Sequence, residues 1–290
     1  MPPRRTSLAL LAHLCVSLAA AASYSVVDYG AVADGRTDCA GAFLRAWAAA
    51  AGIHVTVQAS TGVAIVDTVV SAPGDSPNTD GIHVKQSSDV TIRNAVIGTG
   101  DDCISMVEGS SDVWIQGVTC GPGHGIRRVT SIGSLGDTPE QVAVRNITVK
   151  AVTLAGTTNG LRIKSWAKAN SGLVDGVAFS DVVMRNVRNP IIVDQNYCPG
   201  NFSCPTEGSG IKITNVSYTN VEGTSATPVA VRFDCSPSRP CTGITMRNVW
   251  LGYGERRRAA ESFCRNAHGV AYGQVVPPSC LADQEMFFYK

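Results

Sequence analysis

The sequence predicts an all-β fold, a parallel β-helix (solenoid) with one short capping helix at its N-terminal end. Three observations carry that expectation. A pattern of apolar, any, apolar, any and then usually Asn recurs, 29 glycines provide for many turns, and only 16% of the residues are charged, against roughly a quarter in an average soluble domain. Clear copies are Val90-Thr91-Ile92-Arg93-Asn94, Val142-Ala143-Val144-Arg145-Asn146, Ile211-Lys212-Ile213-Thr214-Asn215 and Ile244-Thr245-Met246-Arg247-Asn248. Degenerate copies over 55–59, 113–117 and 177–181 end at Ala59, Gly117 and Asp181. Successive copies end 23 to 35 residues apart, a step that marks a solenoid or a propeller. Each unit holds two or three short strands between Gly, Asn and Asp turns and no helix, which excludes alternating α/β folds. The unit is also too short and uneven for a four-stranded propeller blade. Stacked coils fit, with apolar residues inward and Asn at the turn; an antiparallel β-sandwich with fortuitous spacing is the alternative. About seven coils would make one domain rather than two.

The capping helix is read over residues 38–50, where Phe43, Leu44 and Trp47 fall at helical spacing in an Ala-rich stretch. Ahead of it, Arg4 and Arg5 precede an apolar run from Leu8 to Ala22 that ends in Ala20-Ala21-Ala22-Ser23, the pattern of a secretory signal peptide over residues 1–22. The run is shorter than the ~20 residues of a membrane span. Residues 23–290 are therefore expected outside the cell as a soluble monomer with no membrane contact. With 44% apolar residues the chain is not disordered. Its 24 Lys and Arg against 23 Asp and Glu leave a net charge of +1, so no global field attracts nucleic acid.

Cys15 leaves with the signal, and Cys39 is an odd thiol. The remaining eight fall into neighbouring couples: Cys103 with Cys120, Cys198 with Cys204, Cys235 with Cys241, and Cys264 with Cys280. Spacing does not prove these pairings, since eight cysteines allow about 105 connectivities, but neighbour pairing is the simplest for a chain that folds progressively. No C-x-x-C is present and the five His lack ligand spacing, so neither a metal nor a cofactor is expected. Asn146, Asn201 and Asn215 each open an Asn-x-Ser/Thr triplet, an acceptor for glycans in a secreted chain.

The polar residues that can do chemistry are clustered. Asp80 sits in Asn78-Thr79-Asp80-Gly81, Asp101 and Asp102 in Gly98-Thr99-Gly100-Asp101-Asp102-Cys103, His124 in Gly121-Pro122-Gly123-His124-Gly125, and Arg162 and Lys164 in Leu161-Arg162-Ile163-Lys164-Ser165. Asp80 to Asp101 is 21 residues, Asp102 to His124 is 22 and His124 to Arg162 is 38, all coil-sized steps. Residues one coil apart stack at about 4.7–4.9 Å, so three carboxylates, an imidazole and two cations converge on one face. Arg162 and Lys164, two apart, point the same way on a strand. Asp101 and Asp102 can share one cleft only if the backbone turns there, which Gly98 and Gly100 permit. Crowded carboxylates raise the proton affinity of at least one of them, as a general acid beside a general base requires. Taken singly, each piece has an ordinary reading: a turn, a calcium ligand, a turn histidine, an exposed strand edge. Arg127-Arg128 and Arg256-Arg257-Arg258 read as solvated charge.

At these motifs the sequence resembles the polygalacturonases, glycoside hydrolase family 28. The segments Asn78-Thr79-Asp80, Gly100-Asp101-Asp102, Gly123-His124-Gly125 and Arg162-Ile163-Lys164 are similar to that family's four signature motifs in their order. Val27-Asp28-Tyr29-Gly30-Ala31, Ala72-Pro73-Gly74-Asp75-Ser76-Pro77 and Val275-Val276-Pro277-Pro278 resemble its plant members, most closely the exo-acting pollen-type branch. The resemblance implies a right-handed single-stranded parallel β-helix that hydrolyses the α-1,4 bonds of polygalacturonate in pectin with inversion. It implies Asp101 as general acid, Asp80 and Asp102 as activators of the attacking water, and His124 as tuner of the acid. Arg162, Lys164 and Asn78 would bind the substrate, and a Cys103–Cys120 disulfide would brace the catalytic coils.

Two departures from the family stand out. Arg127-Arg128-Val129-Thr130 intervenes between Ile126 and Ser131, where the family runs straight on. Family members also carry several coils between the capping helix and the Asn-Thr-Asp coil, whereas here Val55 follows Ala51 almost at once, so N-terminal coils are missing near 51–52. A secreted pectin-binding or allergen-like wall protein without catalysis is therefore one rival reading. A calcium-dependent pectate lyase, on the same solenoid, is a second.

Overall fold

The computed structural model describes Gly30 and residues 55–283, apart from 75, 77, 78, 122–129, 141, 200–202 and 255–257. The chain divides into two compact units, Met1–Ala50 and Ala51–Lys290, and all the described strands belong to the second. The signal over 1–22, the helix over 38–50 and Cys39 lie outside the described residues, as do Asn78, His124 and Asn201.

Two parallel sheets alternate along the chain. The first stacks eight strands: β1 (Val55–Gln58), β4 (Ile82–Lys85), β7 (Ile104–Met106), β10 (Thr130–Leu135), β12 (Asn159–Trp166), β14 (Asn189–Tyr197), β16 (Val229–Asp234) and β18 (Glu261–Arg265). The second runs β2 (Thr61–Val66), β5 (Ser88–Arg93), β8 (Ser111–Gln116), β11 (Val142–Ala155), β13 (Gly172–Val187), β15 (Ile211–Ser225), β17 (Cys241–Tyr253) and β19 (Ala267–Val276). The short strands β3 (Val69–Ser71), β6 (Val96–Gly98) and β9 (Thr119–Cys120) extend it. Each strand pairs with its counterpart one coil away, in parallel. This is a parallel β-helix, with eight strands stacked in the first sheet among the described residues against about seven coils expected, and the β-sandwich alternative is excluded. Among the described residues no helix is long and apolar enough to cross a membrane.

The corners explain the sequence pattern. Two columns of residues with left-handed backbone, five residues apart on each coil, bend the chain out of the second sheet's plane. One column holds Asp89, Asp112, Asn146, Gly176 and Asn215; the other holds Asp67, Asn94, Gly117, Ala151, Asp181, Asn220 and Asn248. Gly, Asn and Asp adopt that conformation at the least cost. Their side chains also tie coil to coil: Asn94 Nδ2 donates to Asp67 Oδ1 at 3.0 Å, Asn146 to Asp112 at 2.6 Å, Asn220 to Asp181 at 2.9 Å and Asn248 to Asn220 at 3.3 Å.

The seven repeat ends read from the sequence therefore mix positions. Residues 94, 117, 181 and 248 share one column, while 146 and 215 belong to the other. Ala59 is in neither, because it follows β1 of the first sheet and stacks beside Gln86. The residue one coil before Asn94 is Asp67. An alternating strand reads alike on either sheet, so the error was one of face. Inside, Ile92, Ile115, Val149, Phe179, Tyr218 and Met246 stack one per coil, each at most 1% exposed, with the Phe179 and Tyr218 rings 5.2 Å apart. Burying each such side chain stabilises the chain by roughly 1.5–3 kcal/mol.

Three of the four expected disulfides are present: Cys198–Cys204, Cys235–Cys241 and Cys264–Cys280. The fourth is not. Cys103 and Cys120 are buried thiols, and Cys103 Sγ donates to the Ile97 carbonyl at 3.6 Å. Burial, then the contact with Cys103, pushes the Cys120 thiol well above its usual range. Of the glycan acceptors, Asn146 and Asn215 sit exposed at left-handed corners, their amide nitrogens donating to Asp112 and Asp175.

Asn220 has φ of 52° and bonds on both sides of the ladder. Asn220→Ala should lower stability in urea unfolding by about 1 kcal/mol more than Asn220→Gly, since only glycine takes that backbone without strain. Equal losses would show that the backbone there is not under constraint.

Candidate active site

The cleft is built where successive coils enter the first sheet. Ile82 pairs with Ile104, so Asp80 and Asp102 each stand two residues ahead of their strands, one above the other. Asp101 N donates to the Thr79 carbonyl at 3.1 Å, and Gly81 N donates to the Asp102 carbonyl at 2.8 Å. Two glycines make this approach feasible. A Cβ on Gly81 would stand 2.6 Å from the Cys103 carbonyl oxygen, and one on Gly100 would collide with the carbonyl of Ser76. Asp101 and Asp102 lie in the bend before β7 rather than in it, so both reach the cleft. One oxygen of each of Asp80, Asp101 and Asp102 lies within 4.8 Å of the other two.

The first sheet's outward row supplies the surroundings. His83 pairs with Ser105, Ser105 with Ser131 and Ser131 with Arg162. Ser105 Oγ donates to Asp80 Oδ2 at 2.6 Å, and His83 Nδ1 is 2.7 Å from that same hydroxyl. The hydroxyl proton is spent on Asp80, so the ring donates through Nδ1–H. Burial alone would raise the Asp80 carboxyl. Hydrogen bonds from His83 and Ser105, with the charges of His83 and Lys164, outweigh it and hold the group below the usual carboxylate range.

Lys164 Nζ donates to Asp102 Oδ2 at 3.3 Å, with both side chains buried. Arg162 Nη2 is 3.7 Å from Asp194 Oδ2. Burial, only partly offset by the Asn196 backbone N–H and Arg162, raises the Asp194 carboxyl. The Tyr197 ring lies 5.2 Å from the Arg162 guanidinium carbon and 5.3 Å from Lys164 Nζ, and Trp166 meets it edge-on at 5.4 Å. An open cleft of about 250 Å³ lies beside them, lined by Asp80, His83, Asp101, Asp102, Lys164 and Tyr197.

Of the expected site residues, Asp80, Asp101, Asp102 and Lys164 line one cleft, and Arg162 stands beside Lys164 on the same outward face. Asn78, His124 and Arg127–Val129 lie outside the described residues, while Thr130 is taken up as the first residue of β10. Sequence reasoning missed His83, Ser105, Asp194 and Tyr197. Carrying the coil step once past Arg162-Ile163-Lys164 reaches Asp194, which pairs with Lys164, and Tyr197 just beyond. The three carboxylates are near enough to bracket a cation, but the Lys164 ammonium already occupies that electrostatic position against Asp102.

Clustered carboxylates backed by buried cations are the equipment of an acid–base enzyme that handles an anionic substrate. Residues 47–279 match glycosyl hydrolases family 28, and the chain belongs to that family. It is 51% identical over 228 residues to a polygalacturonase of Prunus persica, covering 79% of this chain and 56% of that relative. It is 44% identical over 229 residues to an exopolygalacturonase of Zea mays, covering 79% and 55%. Among solved structures, the polygalacturonase from Erwinia carotovora ssp. carotovora is similar with a TM-score of 0.55 and 30% identity, over 72% of this chain and 54% of that one. The chain thus spans about half the length of the curated relatives it matches.

Lys164→Met should cost about 3 kcal/mol in urea unfolding, because it leaves the Asp102 carboxylate buried without its ammonium. Adding Asp102→Asn should restore part of that loss. An unchanged unfolding midpoint for Lys164→Met would show that the pair carries no structural weight.

Proposed function

We propose that this chain hydrolyses the α-1,4 bonds between galacturonate residues of polygalacturonate, with inversion and from chain ends, in the cell wall. The observation that carries this reading is the meeting of Asp80, Asp101 and Asp102 within 4.8 Å, in a cleft lined by Lys164 with Arg162 beside it. Asp101 protonates the glycosidic oxygen as its bond to the anomeric carbon breaks. Its Oδ1 accepts the Asp102 backbone N–H at 2.9 Å, which holds the carboxyl in place. Asp80 and Asp102 take the proton of the attacking water, a role that suits a carboxylate held ionised by His83 and Ser105. Inverting pairs usually stand about 6.5–9.5 Å apart. The three carboxylates here approach more closely, and in this reading the water lies between Asp80 and Asp102. Arg162 and Lys164 then meet the sugar carboxylate as charge-assisted donors. By resemblance, His124 tunes the acid and Asn78 helps bind the sugar.

The purified chain should release monogalacturonate from polygalacturonate, with the β anomer formed first by proton NMR. Asp101→Asn should slow reducing-end release by roughly 10²–10⁴. Equal rates in both would sink the catalytic assignment, and an α product would sink inversion. Because the chain spans about half of its relatives, the second reading is a wall protein that binds pectin; binding without release would favour it. In Ser105→Ala, loss of a hydrogen bond that lowers the Asp80 carboxyl should move the acidic limb of the pH–rate profile to higher pH. An unmoved limb would remove Asp80 from the role of base.

A further inference from the structure

We propose that Arg232, seated on the Phe263 ring, binds a sugar carboxylate two coils beyond Arg162 and forms a distal subsite for long polygalacturonate chains. The proposal rests on the substrate class given above and extends it to a part of the surface that the catalytic motifs do not reach.

The outward row that carries His83, Ser105, Ser131 and Arg162 continues without a break. Arg162 pairs with Ile192, Ile192 with Arg232, and Arg232 with Phe263. Leu161, Ile163, Val231 and Phe233 are wholly buried, so the residues between them, Arg162 and Arg232, both point outward. Two strand steps, about 9–10 Å, separate the backbone positions of the two arginines. Ile192, between them, puts no charge on the floor. A polymer lying across the strands from the carboxylate cluster would pass over Arg162 and then Arg232.

The charges along this stretch are mostly committed. Arg162 faces Asp194 at 3.7 Å. Arg265 donates through Nε at 2.6 Å and through Nη2 to Asp234, which also accepts from Asn196 Nδ2 at 3.2 Å. Arg232 feels the charge of Asp194, but among the described residues it forms no ion pair with a carboxylate. Its guanidinium carbon lies 4.6 Å from the centroid of the Phe263 ring, which is 36% exposed. Such stacking uses one face of the planar guanidinium and leaves its edge N–H groups for bidentate recognition of a carboxylate. A disaccharide spanning the scissile bond is too short to reach this position, whereas a long chain is not.

The test compares kcat/KM on polygalacturonate and on digalacturonate. In Arg232→Gln the preference for polymer over dimer should fall about threefold to fivefold, as for a partly exposed ion pair. Arg232→Lys should recover part of it, and the salt dependence on polymer should become shallower. An equal loss on both substrates, or no loss, would overturn the proposal. Should the wild-type chain release no reducing ends, the catalytic reading fails instead. Calorimetric binding of hexagalacturonate then tests the subsite separately: weaker binding by Arg232→Gln supports it, and equal affinity overturns it.

Discussion

Parallel hydrogen bonding between coils holds Ile82 opposite Ile104 and Ser131 opposite Arg162, and the cleft follows from that register. Residues far apart in the chain become neighbours at about one strand spacing. Asp102 and Lys164, 62 residues and two coils apart, form a buried pair because the long lysine side chain reaches back across the intervening coil. The register is tight because Gly81 and Gly100 let adjoining backbone come closer than any side chain would permit. It is kept by two columns of left-handed corners, which make each coil turn at the same place. A slip of one residue would turn Arg162 and Lys164 inward and Leu161 and Ile163 outward.

The electrostatics of the cleft are balanced locally rather than by net charge. Gathering three carboxylates opposes folding unless each is compensated. Asp80 has hydrogen bonds from a serine and, through it, a histidine; Asp102 has Lys164; Asp101 has a backbone N–H. These arrangements differ, and the difference separates the three groups chemically although they sit within 4.8 Å. An overall charge of +1 says nothing of this, because the cations that matter are two residues on one strand.

The fold was largely legible because inward stacking demands an apolar residue at every second position, and the corners demand Asn, Asp or Gly. The same logic misled at Ala59 and mixed two corner columns, since both bends of a coil select the same residue types. Asp80, Asp101, Asp102, Arg162 and Lys164 were legible because their spacing matched a coil. His83 and Ser105 were not, since a lone His and Ser on outward strand positions carry no signal until Asp80 is seen beside them. Asp194 and Tyr197 lay one coil beyond the last motif. The Cys103–Cys120 couple shows the limit of spacing: the two cysteines are both buried, yet no bond joins them.

The sequence by itself determined that the chain is a stack of short parallel strands and that its polar motifs recur at coil intervals, because periodicity and turn chemistry are local properties. Only the tertiary structure decided which corner column each turn joins, which residue of one coil lies over which of the next, and so which charges pair. Those are properties of register, and register is set by backbone hydrogen bonds between segments 20 to 40 residues apart, such as Ile82 N to the Cys103 carbonyl and Ala226 N to the Val187 carbonyl, a distance at which a single sequence holds no local signal.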